Sequence, residues 1–179
     1  MPVLEEEESL LPEHILSRAY ERCMIVYPKF FKMDLLSKLA FLSAELLHPD
    51  WAHCEKDRVA AVLSTRSGCL EVDKKFDESR RAVASPSLFV YTLPNIMLGE
   101  ICIRHRIKGE QICFIEEAGN PQLLYDYVSD LLQNRNTDGC ICGHAEASGN
   151  SLEATLFWVS GANAPLVFNE DNLKKIFSF

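Results

Sequence analysis

The chain has 179 residues, 47% hydrophobic and 25% charged, the size and composition of one globular domain that buries its own core. A formal net charge of −8 opposes binding to nucleic-acid phosphates or an anionic membrane surface, and no apolar run reaches the roughly 20 residues that span a bilayer. The acidic start (Glu5, Glu6, Glu7, Glu8) lacks a signal peptide's basic end and apolar core, so the expected compartment is the cytoplasm and the seven cysteines are expected to be free thiols.

Residues 1–28 are expected to form an acidic, partly ordered N-terminal segment, because like charges in a block repel one another. Within it, Pro12 to about Cys23 predicts a short helix and Met24-Ile25-Val26 a short strand. Residues 29–179 then form one domain. Phe30 to Leu47 predicts a helix whose face is Phe31, Leu35, Leu39, Leu42 and Leu46, with His48-Pro49 ending it. Val59-Ala60-Ala61-Val62-Leu63 reads as a strand buried on both faces. Residues 65–91 form a long connection holding a short helix. Asn95 to Arg106 is apolar nearly all round, which predicts a buried helix.

Gln111 to Ile115 is a second strand, and Gln122 to Gln133 an amphipathic helix carrying Leu123, Leu124, Tyr127, Val128, Leu131 and Leu132. Asp138 to His144 and Leu152 to Ser160 are two further strands. The short turn between them, Ala147-Ser148-Gly149-Asn150, favours an antiparallel pair. Asn169 to Phe179 starts helical and ends on Ile176, Phe177 and Phe179. Strands separated by helices predict a three-layer α/β/α domain, mostly parallel, with the last strand antiparallel.

Glycine-rich nucleotide loops, phosphate loops, zinc-protease and serine-hydrolase motifs are absent. Cys140, Cys142 and His144 alternate onto one strand face, a thiolate-plus-imidazole set that suits zinc or redox sensing. Structural zinc, however, takes four ligands and usually wider cysteine spacing, so packing against a helix is the simpler expectation and no metal is expected. The basic stretch Arg104, His105, Arg106 and Lys108 reads either as a solvated helix end or as a dock for an acidic partner.

The segment Ser85-Pro-Ser-Leu-Phe-Val-Tyr-Thr-Leu-Pro-Asn-Ile-Met-Leu-Gly-Glu-Ile101 resembles the loop and helix that precede the nucleophile strand in β-ketoacyl-acyl-carrier-protein synthases. Ile107-Lys108-Gly109-Glu110 is similar to the family's Leu-x-Gly-Pro step. Asp138-Gly-Cys-Ile-Cys-Gly-His144 is similar to its Asp-x-x-Leu-Val-Gly-Gly strand, and Lys32-Met33-Asp34 opens a matching helix upstream. The resemblance covers roughly residues 29–160, the N-terminal half of that fold. It implies a thiolase-like half with a five-stranded mixed sheet, and a nucleophilic cysteine on the turn after Gln111–Ile115.

The family's Thr-Ala-Cys-Ala falls on Glu116 to Gly119, placing Ala118 or Gly119 where the sulfur would stand. The two catalytic histidines belong to the other half. The resemblance therefore implies a non-catalytic β-ketoacyl-synthase-like subunit or accessory protein in fatty-acid, polyketide or polyene biosynthesis, without a cofactor. It implies pairing as a homodimer or with an active synthase, and acyl-carrier contact through Arg104, Arg106 and Lys108. The helix at 122–133 is expected to present an apolar layer to that partner, unless the tail covers it. Two other readings stand beside this one: an acyltransferase or thioesterase using Cys113 or Cys69, and a metal or redox sensor built on Cys140, Cys142 and His144.

Overall fold

A computed structural model describes residues 11–116, 120–161 and 165–177. In chain order these form α1 (Pro12–Arg22), a 3₁₀ turn (Pro28–Lys32), α2 (Leu35–Trp51), β1 (Val59–Thr65), α3 (Leu70–Ser79), α4 (Pro86–Val90) and α5 (Ile96–His105). Then follow β2 (Gln111–Ile115), α6 (Pro121–Asn134), β3 (Gly139–Ser148), β4 (Ser151–Ser160) and α7 (Glu170–Phe177).

The strands form one sheet in the order β2-β1-β3-β4. β1 pairs in parallel with β2 and β3, and β4 runs antiparallel to β3. The mixed sheet with its last strand reversed is as expected, but the described residues hold four strands rather than five. Met24-Ile25-Val26 forms no strand: Met24 sits at φ 50 in the turn that closes α1, and its side chain and that of Val26 are exposed.

Alternation along the strands sorts the core into two faces. Val59, Ala61, Leu63, Ile141 and Ala145 pack with α1, α2 and α5, where Tyr20, Phe30 and Phe41 form an aromatic group. Ala60, Val62, Cys140, Cys142 and Val159 meet Leu124, Val128 and Leu131 of α6 and Leu173 of α7. Three layers result. The part of the first 28 residues that is described joins this core, since Leu16 and Tyr20 of α1 are buried in it.

Two expectations about α2 are corrected. Its buried residues are Leu36, Ser37, Ala40, Phe41, Leu42, Ala44 and Trp51, so of the expected stripe Leu42 is buried and Leu35 and Leu39 pack against the core at its margin, while Leu46 is exposed and Phe31 lies outside the helix, in the 3₁₀ turn. Asp34, accepting a hydrogen bond from the Ser37 amide at 3.2 Å, starts the helix after Phe31. The small residues Ala40 and Ala44 then allow close approach to the sheet. Nor does the helix stop at Pro49. It continues to Trp51, whose fully buried indole lies edge-on to His48 and His105 at 4.9 and 4.8 Å. Lys56 Nζ donates to the Trp51 and Ala52 carbonyls and so holds the last turn.

The apolar layer of α6 is covered from within the chain. Leu173 is 1% exposed against α6, Tyr125 stacks near Phe168 at 5.5 Å, and Phe157 meets Phe177 at 6.1 Å. The folded-back tail caps this face. No helix among the described residues is long and apolar enough to cross a membrane.

Candidate functional site

In open α/β sheets, ligands gather at the carboxyl ends of the parallel strands. Here that end is built by Ser64-Thr65 of β1, Ile115 of β2 and His144-Glu146 of β3. Beyond β2 the Glu116 amide bonds to the Thr65 carbonyl at 3.0 Å, tying the exit of one strand to the other. The proposed nucleophile position, Ala118 or Gly119, lies outside the described residues. On its far side Asn120 caps α6 by accepting from the Leu123 amide at 3.2 Å.

The polar groups at this end are largely buried. Glu146 Oε2 accepts from Thr65 Oγ1 at 2.9 Å and from the Arg66 and Ser67 amides at 2.8 and 3.1 Å. Burial alone would raise its pKa, but the bonds from Ser67, Thr65 and Arg66 outweigh it and hold the carboxyl below its ordinary value. Ser64 Oγ lies 2.9 Å from His144 Nδ1, and the two residues are cross-strand partners in the parallel register. Burial, with Arg66 nearby, lowers the His144 pKa, so the imidazole is neutral at pH 7. Ser64 and His144 are 1% and 5% exposed, and the pair satisfies buried polar atoms. Sequence reasoning missed Ser64, Thr65 and Glu146. The available signal was two hydroxyls ending an apolar run and a carboxylate in an otherwise small, apolar strand.

Five of the seven thiols share one property. Burial pushes Cys69 and Cys102 up to about 12 and Cys113 up to about 11, and raises Cys140 and Cys142 strongly. A nucleophilic cysteine needs the opposite shift. Cys140 and Cys142 face α6 as the packing reading expects, and His144 turns to Ser64. Among the described residues no group of three His, Cys, Asp or Glu side chains is placed to hold a metal ion.

The basic stretch divides. Arg104 Nε binds Glu45 at 2.8 Å and its guanidinium covers the Tyr27 ring at 5.6 Å. Burial would raise Glu45, but His105 and Arg104 beside it hold it at about 2. His105 Nε2 stands 3.2 Å from Glu45 Oε1, a close approach without hydrogen-bond alignment. Arg104 is thus a core-edge strut. Arg106, at φ 59 just past α5, is exposed, and Lys108 pairs with equally exposed Asp57 at 3.0 Å.

Neither a family model nor a curated protein matches the chain. Solved structures do. One described as the ishigamide ketosynthase/chain length factor is 24% identical, with a TM-score of 0.54 over 66% of this chain and 36% of its own. A type II polyketide-synthase acyl-carrier protein in complex with its ketosynthase, bound to the hexaketide, gives 13% identity, a TM-score of 0.56 and coverages of 76% and 46%. A ketosynthase in complex with its chain length factor from Xenorhabdus doucetiae gives 14%, 0.58, and coverages of 86% and 73%.

The protein therefore has a ketosynthase-like, thiolase-type fold. It spans only about a third to a half of the first two matched chains but nearly three quarters of the third.

Proposed function

We propose that this chain is a ketosynthase-like accessory subunit without a nucleophile, acting beside an active β-ketoacyl synthase in polyketide or polyene assembly. The observation that carries the reading is the sequence Glu116-Glu-Ala-Gly-Asn120 between β2 and α6 of a ketosynthase-like fold. A Claisen condensation on an acyl thioester needs a thiolate to hold the acyl chain, and that junction has none. The alternative, an acyltransferase or thioesterase using Cys69 or Cys113, is opposed by their raised pKa values.

Pairing is supported by the edge of the sheet. β2 ends the strand order, so among the described residues nothing hydrogen-bonds along its outer side. Exposed Ile115 closes that strand. It borders Gly68 and Pro94, next to exposed Leu93. Two of the matched structures are a ketosynthase with its chain length factor and one with its acyl-carrier protein. By analogy the partner is an active synthase, with carrier contact through exposed Arg106 and Lys108.

Co-expression with an active type II ketosynthase, followed by native mass spectrometry, tests the proposal. A one-to-one heterodimer whose product profile changes when this chain is omitted is the expected result. A stoichiometric acyl adduct on this chain alone would refute it.

A further inference from the structure

A cavity of about 210 Å³ opens between α2, α3 and α4, with Gly68, which borders Ile115 of β2, in its wall. Its floor is apolar: Met33, Leu36 and Val72 are buried there, with Leu88 alongside. Tyr91 closes the inner end, its hydroxyl already donated to Glu100 Oε1 at 3.1 Å. Apolar cavities of about 150 Å³ accept a ligand the size of benzene, so this one takes a six-carbon body.

The rim has a different character. Lys32 from the 3₁₀ turn, Lys38 from α2 and Lys75 from α3 all line the opening. Among the described residues, none of these three ammonium groups has an ion-pair partner. Of the carboxylates around the cavity, Glu71 is held by Lys74 at 3.0 Å and Asp34 is turned to cap α2. Glu13 remains. Three lysines and three carboxylates thus line the cavity, and one of those carboxylates, Glu71, is met by Lys74 from outside the lining.

We infer that this cavity binds a short amphipathic carboxylate, its apolar body against Met33, Leu36 and Val72 and its anionic head among Lys32, Lys38 and Lys75. The inference does not depend on the accessory-subunit reading, since it uses neither the sheet edge nor the nucleophile position. An anionic head fits this rim because unpaired ammonium groups around a low-polarity floor attract it with little competing desolvation.

The test is an amide-resolved NMR titration of the full chain with sodium hexanoate, with hexylammonium and 1-hexanol as controls. Hexanoate at about 10 mM, above the roughly millimolar affinity open to so small a ligand, should shift the amides of Gly68, Cys69, Ser87 and Leu88. Its affinity should exceed that of hexylammonium about fivefold or more and fall with added salt. The combined Lys32→Gln, Lys38→Gln and Lys75→Gln variant should lose a similar factor while retaining the hexanol response. Absence of shifts at those four amides, or hexylammonium binding as well as hexanoate, overturns the inference. So does hexanoate binding only after residues 1–10 are deleted, since that assigns the lysine rim to the chain's own acidic start.

Discussion

Replacing Glu146 with glutamine isolates one charge at the end of the parallel strands. Glu146 is 4% exposed, and a single oxygen receives three hydrogen bonds while the other, buried, has no partner. Glutamine keeps an acceptor for Thr65, Arg66 and Ser67, loses the charge, and puts an amide NH₂ where no acceptor waits. Hydrogen bonds to a charged group contribute about 1.5–3 kcal/mol against about 1 for neutral ones, and an unsatisfied buried donor costs about 1–3. The expected loss at pH 7 is about 2–3 kcal/mol, read by urea unfolding through Trp51 and Trp158 fluorescence.

The pH dependence sharpens the test. The folded carboxyl sits below its ordinary value of 4.5, so its contribution is complete above that pH and is lost as pH falls through the lower folded value. Wild type and Glu146→Gln should therefore differ most at pH 6–7 and converge in acid. Equal stability at pH 7, or a gap that persists unchanged as pH falls well below 4.5, would refute the reasoning.

Iodoacetamide at neutral pH should leave Cys69, Cys102, Cys113, Cys140 and Cys142 unmodified in the native protein, with any labelling at half-buried Cys23 and Cys54; peptide mass mapping reads this. Leu173→Ala removes the 1%-exposed side chain that seats α7 on α6 and should cost about 2–5 kcal/mol, with concentration-dependent association in sedimentation as the layer beneath is uncovered. Arg104→Glu should lower stability through the Glu45 contact. Arg106→Glu with Lys108→Glu should leave the melting temperature unchanged and weaken a cognate carrier in a salt-dependent way. A carrier affinity unaffected by the double reversal would return those two residues to plain surface.

The strands were legible because their apolar runs are short and bounded. Val59 to Leu63 is buried throughout, as an all-apolar strand inside a parallel sheet must be. The phase of α2 was legible only in part: Leu42 is buried as its spacing implies, but periodicity weighs leucines and cannot see that Ser37, Ala40 and Ala44 are the residues accepted at close range. Pro49 misled for a related reason: local propensity favours a break, but burying Trp51 outweighs one missing hydrogen bond. At the strand ends, Glu146 and Ser64 come together with partners about 80 positions away, a distance over which single-sequence patterns carry no information. The contact of Arg104 with Glu45, 59 positions away, was illegible for the same reason.

The parallel pairing of β1 with β3 also sets a schedule for synthesis. Ser64 waits for His144, 80 positions on, while the β3–β4 hairpin closes through two residues, Gly149 and Asn150. At roughly 5–20 residues per second, β1 leaves the ribosome about 4–16 s before its second hydrogen-bonding neighbour exists. Nascent chains in that interval hold a strand that is apolar from Val59 to Leu63 with its β3-facing edge open, which is the condition under which strands recruit one another. α2 precedes β1 and α5 follows it before β2 arrives, so one face of the strand has cover early. The other must wait for α6. Slow codons or a chaperone between residues 65 and 120 would therefore bear on yield of this protein more than any substitution on its finished surface.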